Sequence, residues 1–250
     1  MHLFKTILQV LYTIYSAILF VAILLVITPF VIVASFFGKI NGGNAIYKMC
    51  YWWATVWLFL IGIRVRIQYE APHNRQQQYI FVSNHISYMD VPMFVRTILQ
   101  PIRVLGKAEL AKIPVFGFLY KNAVVMVNRN NAADRAKSIY TLKRVIAKGI
   151  SVVICPEGTF NESGQPLKAF YDGAFRIAIE TQTPIKPFVL PDTVRRMHYR
   201  SFTDNTPGVC RAIFLETVPV AGLTLKDVEQ LKQTVYNKME AALIKYDYGK

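Results

Sequence analysis

Charge is almost missing from the first quarter of this 250-residue chain: up to Ile63 the only charged side chains are Lys5, Lys39 and Lys48, and all 15 acidic residues lie beyond. Cysteine is scarce as well. Cys50, Cys155 and Cys210 are odd in number, widely spaced and form no C-x-x-C pair, which argues against a disulfide framework or a zinc site and fits a reducing setting. The four histidines (His2, His73, His85, His198) lack metal-ligand spacing, and no cofactor fingerprint occurs. No cofactor is therefore expected, and the chemistry falls to side chains alone. Nor is there a Gly-aromatic RNA-binding signature, zinc-finger spacing or a basic helix ahead of heptads, so nucleic acid is not an expected partner.

What is present is an unusual pairing: 53% hydrophobic residues with a formal net charge of +14. A chain both greasy and basic suits an anionic membrane surface. From Thr6 to Gly38 there is no charge, whereas about 20 apolar residues suffice to cross a bilayer core. The run is too long for a signal-peptide core and no small-residue cleavage pattern follows it. Pro29 is expected to interrupt this stretch and Gly42-Gly43 to break the chain after it. A second uncharged segment, Met49 to Ile63, carries Tyr51, Trp52, Trp53 and Trp57, aromatics of the kind enriched at membrane interfaces. Two arrangements fit residues 1–62 as membrane-anchoring helices: a spanning helix followed by an interfacial one, or a hairpin embedded in one leaflet. Burial of both in a soluble core fits a face uncharged all round less well. Lys39, Lys48, Arg64 and Arg66 on the C-terminal side, against Lys5 alone on the other, put the catalytic domain on the cytoplasmic side of the membrane.

Residues 63–250 have the length of one catalytic domain. Ile63, Val65, Ile67 and Tyr69 alternate with polar residues as a half-buried strand does, and YIFVSN, VVMVN, SVVICP, IKPFVL and RAIFLETV read as further strands. Residues 132–148 have the spacing of a surface helix ending at Gly149, and Thr224 with Asp227 forms a capping box that opens a last helix to about Tyr246. Alternation of this kind predicts an α/β layered domain with a mixed, largely parallel sheet. The aromatics Phe116, Phe118 and Tyr120 suit core packing better than the lining of an apolar ligand tunnel.

Two polar clusters follow apolar strands, where open α/β sheets place their sites. In FVSNHISYMDVP, His85 can take a proton from an alcohol and Asp90 can fix its tautomer, if a turn after His85 brings the two together. The same residues could instead be a structural histidine and an N-capping aspartate. In CPEGTFNESG, Gly158 lets backbone approach a ligand, and N–H groups beside a hydroxyl suit phosphate or an oxyanion; a plain turn would look alike.

Three motifs occur in order: N-H-x-x-x-x-D (Asn84 to Asp90), K-x-E-L-x-x-x-P-x-x-G (Lys107 to Gly117) and P-E-G-T (Pro156 to Thr159). Together they resemble the 1-acylglycerol-3-phosphate (lysophosphatidate) acyltransferase family of glycerolipid acyltransferases, over about Tyr79 to Phe188. The resemblance implies a glycerolipid-acyltransferase domain preceded by a membrane-embedded helical segment. It implies His85 as general base and Asp90 as its partner. As substrate-binding positions it implies Asn84, Lys107 and Arg129, the loop Glu157-Gly158-Thr159, and Lys168 with Gly173 downstream. The expected partners are membrane lipids, a lysolipid acceptor and an acyl thioester donor, either acyl-CoA or acyl carrier protein.

One departure stands out. The family usually continues E-G-T with Arg, a bidentate phosphate clamp, whereas Phe160 and Asn161 follow here. A lyso-amino-acid lipid therefore competes with lysophosphatidate as acceptor. A catalytically silent lipid-binding protein would explain Phe160 but not a retained His85/Asp90 pair, and a hydrolase would need water that an acyl-lined site denies.

Overall fold

The computed structural model describes residues 2–128, 130–201, 203 and 205–248. Helix α1 (His2–Ser35) leads through a π-turn (Gly38–Gly42) into α2 (Gly43–Leu60). Then follow β1 (Ile63–Tyr69), β2 (Ile80–Ser83), α3 (Asp90–Thr97), β3 (Ile102–Lys107), a 3-10 turn (Ala108–Lys112), α4 (Phe116–Ala123), β4 (Val124–Val127), α5 (Ala132–Ile146) and β5 (Ser151–Ile154). The chain continues through α6 (Gly173–Thr181), β6 (Ile185–Val189), α7 (Thr193–Arg196), β7 (Gly208–Phe214), a 3-10 turn (Leu225–Asp227) and α8 (Val228–Lys245).

The seven strands lie in the order β1-β7-β6-β2-β5-β3-β4. Every pairing is parallel except β6 with β7, so β1 and β7 run against the other five. The sheet is mixed and mostly parallel, as expected. Its central strands are buried on both faces, which is why Ile80–Ser83, Ser151–Ile154 and Ile185–Val189 read as continuous apolar runs. One face packs on α5, α6 and α8 through Leu142, Phe175, Val235 and Leu243. The other packs on α2 and α3 through Trp53, Leu58, Met93 and Phe94. Gly149, at φ +76°, ends α5 in the left-handed conformation that favours glycine, and the Thr224–Asp227 capping box is formed.

The structure departs from three expectations. Pro29 does not interrupt α1, which runs straight through it. The missing N–H costs one backbone bond, and the turn before it is reinforced where the Thr28 hydroxyl donates to Leu24 O at 2.7 Å. A strand is formed at Ile102–Lys107, where the sequence reading had only the start of a motif. Finally, residues 1–62 are not a separate unit in packing. The buried face of α2 (Ile46, Tyr47, Cys50, Trp53, Trp57) belongs to the same core as the sheet, while Trp52 and Phe59 on its other side stay exposed.

Helix α1 then packs on α2 as the outer arm of a hairpin. Tyr12 and Tyr15 donate their hydroxyls to Ile61 O (2.6 Å) and Leu60 O (3.0 Å), and the Trp57 indole donates to Ser16 O at 2.9 Å. Phe20 meets Trp53 and Trp57 edge-on at 4.8 and 5.4 Å between centroids, a geometry contributing about 0.5–1.5 kcal/mol per pair beyond burial. The stretch Phe4–Ser35 of α1 is long and apolar enough to cross a membrane, and its outward residues, among them Leu11, Ile18, Val26 and Phe30, are exposed.

The hairpin is tied to the sheet by Arg103 of β3, whose side chain is buried. Its Nη2 donates to Lys39 O (2.9 Å), Ile40 O (3.2 Å) and Asn44 Oδ1 (3.1 Å). Gly43 permits this, because a Cβ there would strike the guanidinium. Arg103→Met is expected to lower the stability of detergent-solubilised protein by about 1.5–3 kcal/mol, since the half-buried turn loses a charged donor to two carbonyls and an amide. Thermal unfolding of the variant beside the unaltered chain measures it.

Candidate active site

The C-terminal ends of β2 and β5 lie side by side, because these strands are parallel neighbours. Each runs straight into one of the polar clusters. After β2 the chain turns at His85–Met89, held by the Asp90 N–H on Ser87 O (3.1 Å) and the Ser87 hydroxyl on Met197 O (2.5 Å). That turn brings His85 and Asp90 together: the ring nitrogen Nδ1 sits 2.8 Å from Asp90 Oδ2. The same oxygen accepts the N–H groups of Ile86 (2.8 Å) and Ser87 (2.9 Å). Asp90 is fully buried and does not cap α3 through its side chain. Three nitrogens thus converge on one carboxylate oxygen. An imidazole that donates its Nδ1–H to it keeps Nε2 as an acceptor, the arrangement a general base requires. The histidine side chain is 18% exposed, so a reactant can reach it.

The loop after β5 grips the backbone of His85 from both sides. Glu157 is wholly buried, and its Oε1 accepts the His85 N–H at 2.8 Å while Oε2 accepts the Lys168 N–H at 2.9 Å. The Asn161 N–H donates in turn to His85 O at 2.8 Å. Burial pushes the Glu157 carboxyl up to about 7, against the opposite pull of its two N–H bonds. Gly158, at φ +74°, is required by the turn: a Cβ would lie 2.7 Å from the Tyr171 ring. Thr159 is exposed and accepts a hydrogen bond from Lys168 Nζ at 2.8 Å.

Several expected ligand-binding residues are differently employed. Asn84 is buried, its Oδ1 accepting the Leu190 N–H (2.8 Å) and its Nδ2 donating to Leu190 O (3.3 Å). Both ends of its amide are spent on pinning the end of β2 to the end of β6. Glu157 likewise has both oxygens on backbone N–H groups and none facing a ligand. Lys107 closes β3 on the same edge of the sheet as His85 but stands apart from the cluster, exposed and 3.7 Å from Glu109. Gly173 opens α6. Arg129 lies outside the described residues.

Phe160 and Asn161 were informative in the sequence only as a departure. The Phe160 ring meets the His85 imidazole at 4.5 Å between centroids and 62°, with Tyr88 edge-on to it at 4.9 Å. An aromatic wall thus stands beside the His85 imidazole. A cleft of about 430 Å³ opens next to it, bounded by Ile86, Asn161, Arg195, His198 and Tyr199 and, from α1, by Gln9.

Residues 63–191 match the family described as Acyltransferase. The chain belongs to the acyltransferase family. It is 27% identical over 213 residues to human 1-acyl-sn-glycerol-3-phosphate acyltransferase beta, covering 82% of this chain and 74% of that protein. It is 28% identical over 188 residues to the 1-acyl-sn-glycerol-3-phosphate acyltransferase of Haemophilus influenzae, covering 73% and 76%. The crystal structure of the 1-acyl-sn-glycerophosphate acyltransferase PlsC from Thermotoga maritima superposes with a TM-score of 0.72 at 22% identity, covering 99% of this chain and 98% of that one. This acyltransferase therefore shares its fold with PlsC, and its own apolar N-terminal helix fits membrane association.

Glu157 makes the site sensitive to pH in a direction that can be worked out. The unfolded carboxyl releases its proton near 4.5 and the folded one near 7. Its contribution to stability is therefore full below 4.5 and is lost as pH rises to 7. In Glu157→Gln this slope should vanish. The amide would also turn an NH2 towards one of the two backbone N–H groups and cost about 1–3 kcal/mol. Thermal midpoints of both proteins between pH 4.5 and 8 test this.

Proposed function

We propose that this enzyme transfers a fatty acyl group from an acyl thioester, acyl-CoA or acyl carrier protein, to the free hydroxyl of 1-acylglycerol-3-phosphate, yielding phosphatidic acid. The observation that carries the reading is the His85–Asp90 pair, with Asp90 locked by two backbone N–H groups and the second ring nitrogen left for substrate. His85 Nε2 takes the proton of the acceptor hydroxyl as its oxygen bonds to the thioester carbonyl carbon. The tetrahedral intermediate collapses with loss of the thiolate, which receives that proton from the imidazolium. An activated thioester needs neither an enzyme nucleophile nor a cofactor for this step. The human and Haemophilus influenzae relatives, both 1-acyl-sn-glycerol-3-phosphate acyltransferases, support the acceptor.

Asp90 fixes the tautomer, while Glu157 and Asn84 act as positioning residues, the first by holding the His85 backbone and the second by joining the ends of β2 and β6. Gly158, Thr159 and Lys168 belong to the loop that grips the His85 backbone; they, Lys107 and Arg129 are assigned to substrate on the resemblance alone. The cleft bounded by α1 gives a membrane-borne acceptor a lateral path, with the catalytic domain on the cytoplasmic side of the membrane. The net charge of +14 suits anionic headgroups and either anionic donor.

Phe160 favours a second reading. It puts a ring, not a cation, against the base, so an acceptor without a phosphate monoester, such as a lyso-amino-acid lipid, meets no unpaired charge there. Comparing turnover on the two acceptors decides between them, and Phe160→Arg should shift preference towards lysophosphatidate.

In folded, purified enzyme His85→Ala should abolish transfer, and Asp90→Asn should reduce turnover by about 10⁴-fold if Asp90 sets the tautomer. Acyl transfer from labelled thioester to a lysolipid panel measures both, and near-normal turnover in His85→Ala would overturn the mechanism.

A further inference from the structure

Between β3 and α4 the chain makes a short excursion with an unusual surface. Leu110, Ile113, Val115 and Phe118 are exposed, Ile113 by 46%. Phe118, expected in the core from its neighbours in sequence, faces outward here. A soluble turn at the edge of a sheet would carry polar residues at such positions. The conformation is also held against local preference. Val115 adopts φ +61°, a left-handed geometry that β-branched residues avoid. It is locked by the Phe116 N–H on Pro114 O (2.6 Å) and the Gly117 N–H on Ile113 O (2.7 Å). A Cβ at Gly117 would collide with the Ala111 backbone, so the turn is close-packed on its inner side. Strain of this kind persists where surrounding structure over-determines it.

Two further observations say what covers this surface. The turn continues the apolar face of the hairpin: Phe116 lies 6.3 Å from Phe20 of α1, between exposed Ile18 and Val21. It is also ringed by cations. Lys107, Lys112 and Lys121 are all exposed, and Lys39, from the end of the hairpin, bonds Lys121 O (3.3 Å) and Asn122 Oδ1 (3.0 Å). Two acids moderate this charge: Glu109 is 3.7 Å from Lys107, and Asp134 shares a cavity with Lys39 and Lys121. An apolar tip inside a collar of lysines, beside an apolar helix, matches the layering of a leaflet: acyl chains at the tip, anionic headgroups at the collar.

We infer that the Leu110–Phe118 turn is a second membrane contact, inserting its apolar tip into the leaflet beside α1 while its lysines hold anionic headgroups. Two attachments fix the tilt and rotation of the whole molecule, hairpin and sheet together, against the bilayer. The sheet edge that carries the polar clusters then stays at the level of lipid headgroups.

The test uses the full chain in vesicles of phosphatidylcholine and phosphatidylglycerol. A cysteine placed at Ile113 and labelled with an environment-sensitive fluorophore should emit at blue-shifted wavelength and be quenched by lipids spin-labelled near the headgroup. The same label at Tyr140, exposed on α5, should stay water-like; the unaltered chain, treated in parallel, gives the blank. Water-like emission at position 113 overturns the proposal. Independently, Ile113→Asp with Val115→Asp should lower turnover on vesicle-borne acceptor by about tenfold, corresponding to about 1.4 kcal/mol of lost insertion, with turnover on detergent-dispersed acceptor unchanged. Equal loss in both media would place the turn in the site itself and also overturn the proposal. Because the fluorescence readout needs no turnover, it stands whether or not the proposed acceptor is correct.

Discussion

A buried carboxylate holds the two polar loops of this acyltransferase together. Glu157 comes from the end of β5, yet its oxygens bind N–H groups of His85, after β2, and of Lys168, before α6. Neither loop has a regular hydrogen-bonding partner of its own at these points. Without the carboxylate, both part-buried N–H groups would lose their partner, a cost of the order of 1 kcal/mol each. The geometry of His85 thus depends on a residue that never approaches its imidazole. Asp90 governs the ring; Glu157 governs the backbone from which the ring hangs.

The parallel pairing of β2 with β5 makes this possible, since it delivers both loops to one edge of the sheet. Asn84 adds the third strand by bonding both backbone groups of Leu190 beyond β6. The site is therefore a suture of three strand ends rather than a pocket cut into a finished domain. Phe160 closes it on one side, and its ring against His85 replaces water with an aromatic surface next to the base.

Much of this was legible in the residues. Apolar runs marked β2, β5 and β6 because strands buried on both faces need no alternation. The His85–Asp90 pairing followed from a turn that five residues can make. The role of Glu157 was not legible: an acid beside a glycine after a strand resembles a ligand-binding residue, and its true partners are backbone groups that carry no side-chain signature. The same holds for Asn84. Strand β3 escaped because Arg103 and Lys107 break its apolar run, and Arg103 is there to reach the hairpin turn. The double duty of α2 was hidden for the opposite reason, since lipid and sheet both ask for apolar residues and a sequence rich in them does not say which side each will meet.

The place of β1 at the edge of the sheet bears on the order in which the chain can be finished. β1 directly follows α2, but among the described residues the strand beside it is β7, with Ile63 opposite Gly208 and Tyr69 opposite Phe214. During synthesis the hairpin emerges first and the strand attached to it waits for a partner some 145 residues later. Until β7 is made, the sheet-facing side of α2 has no complete surface to dock on. A hairpin that can shelter its apolar side chains in lipid during that interval is spared the aggregation an aqueous wait would invite.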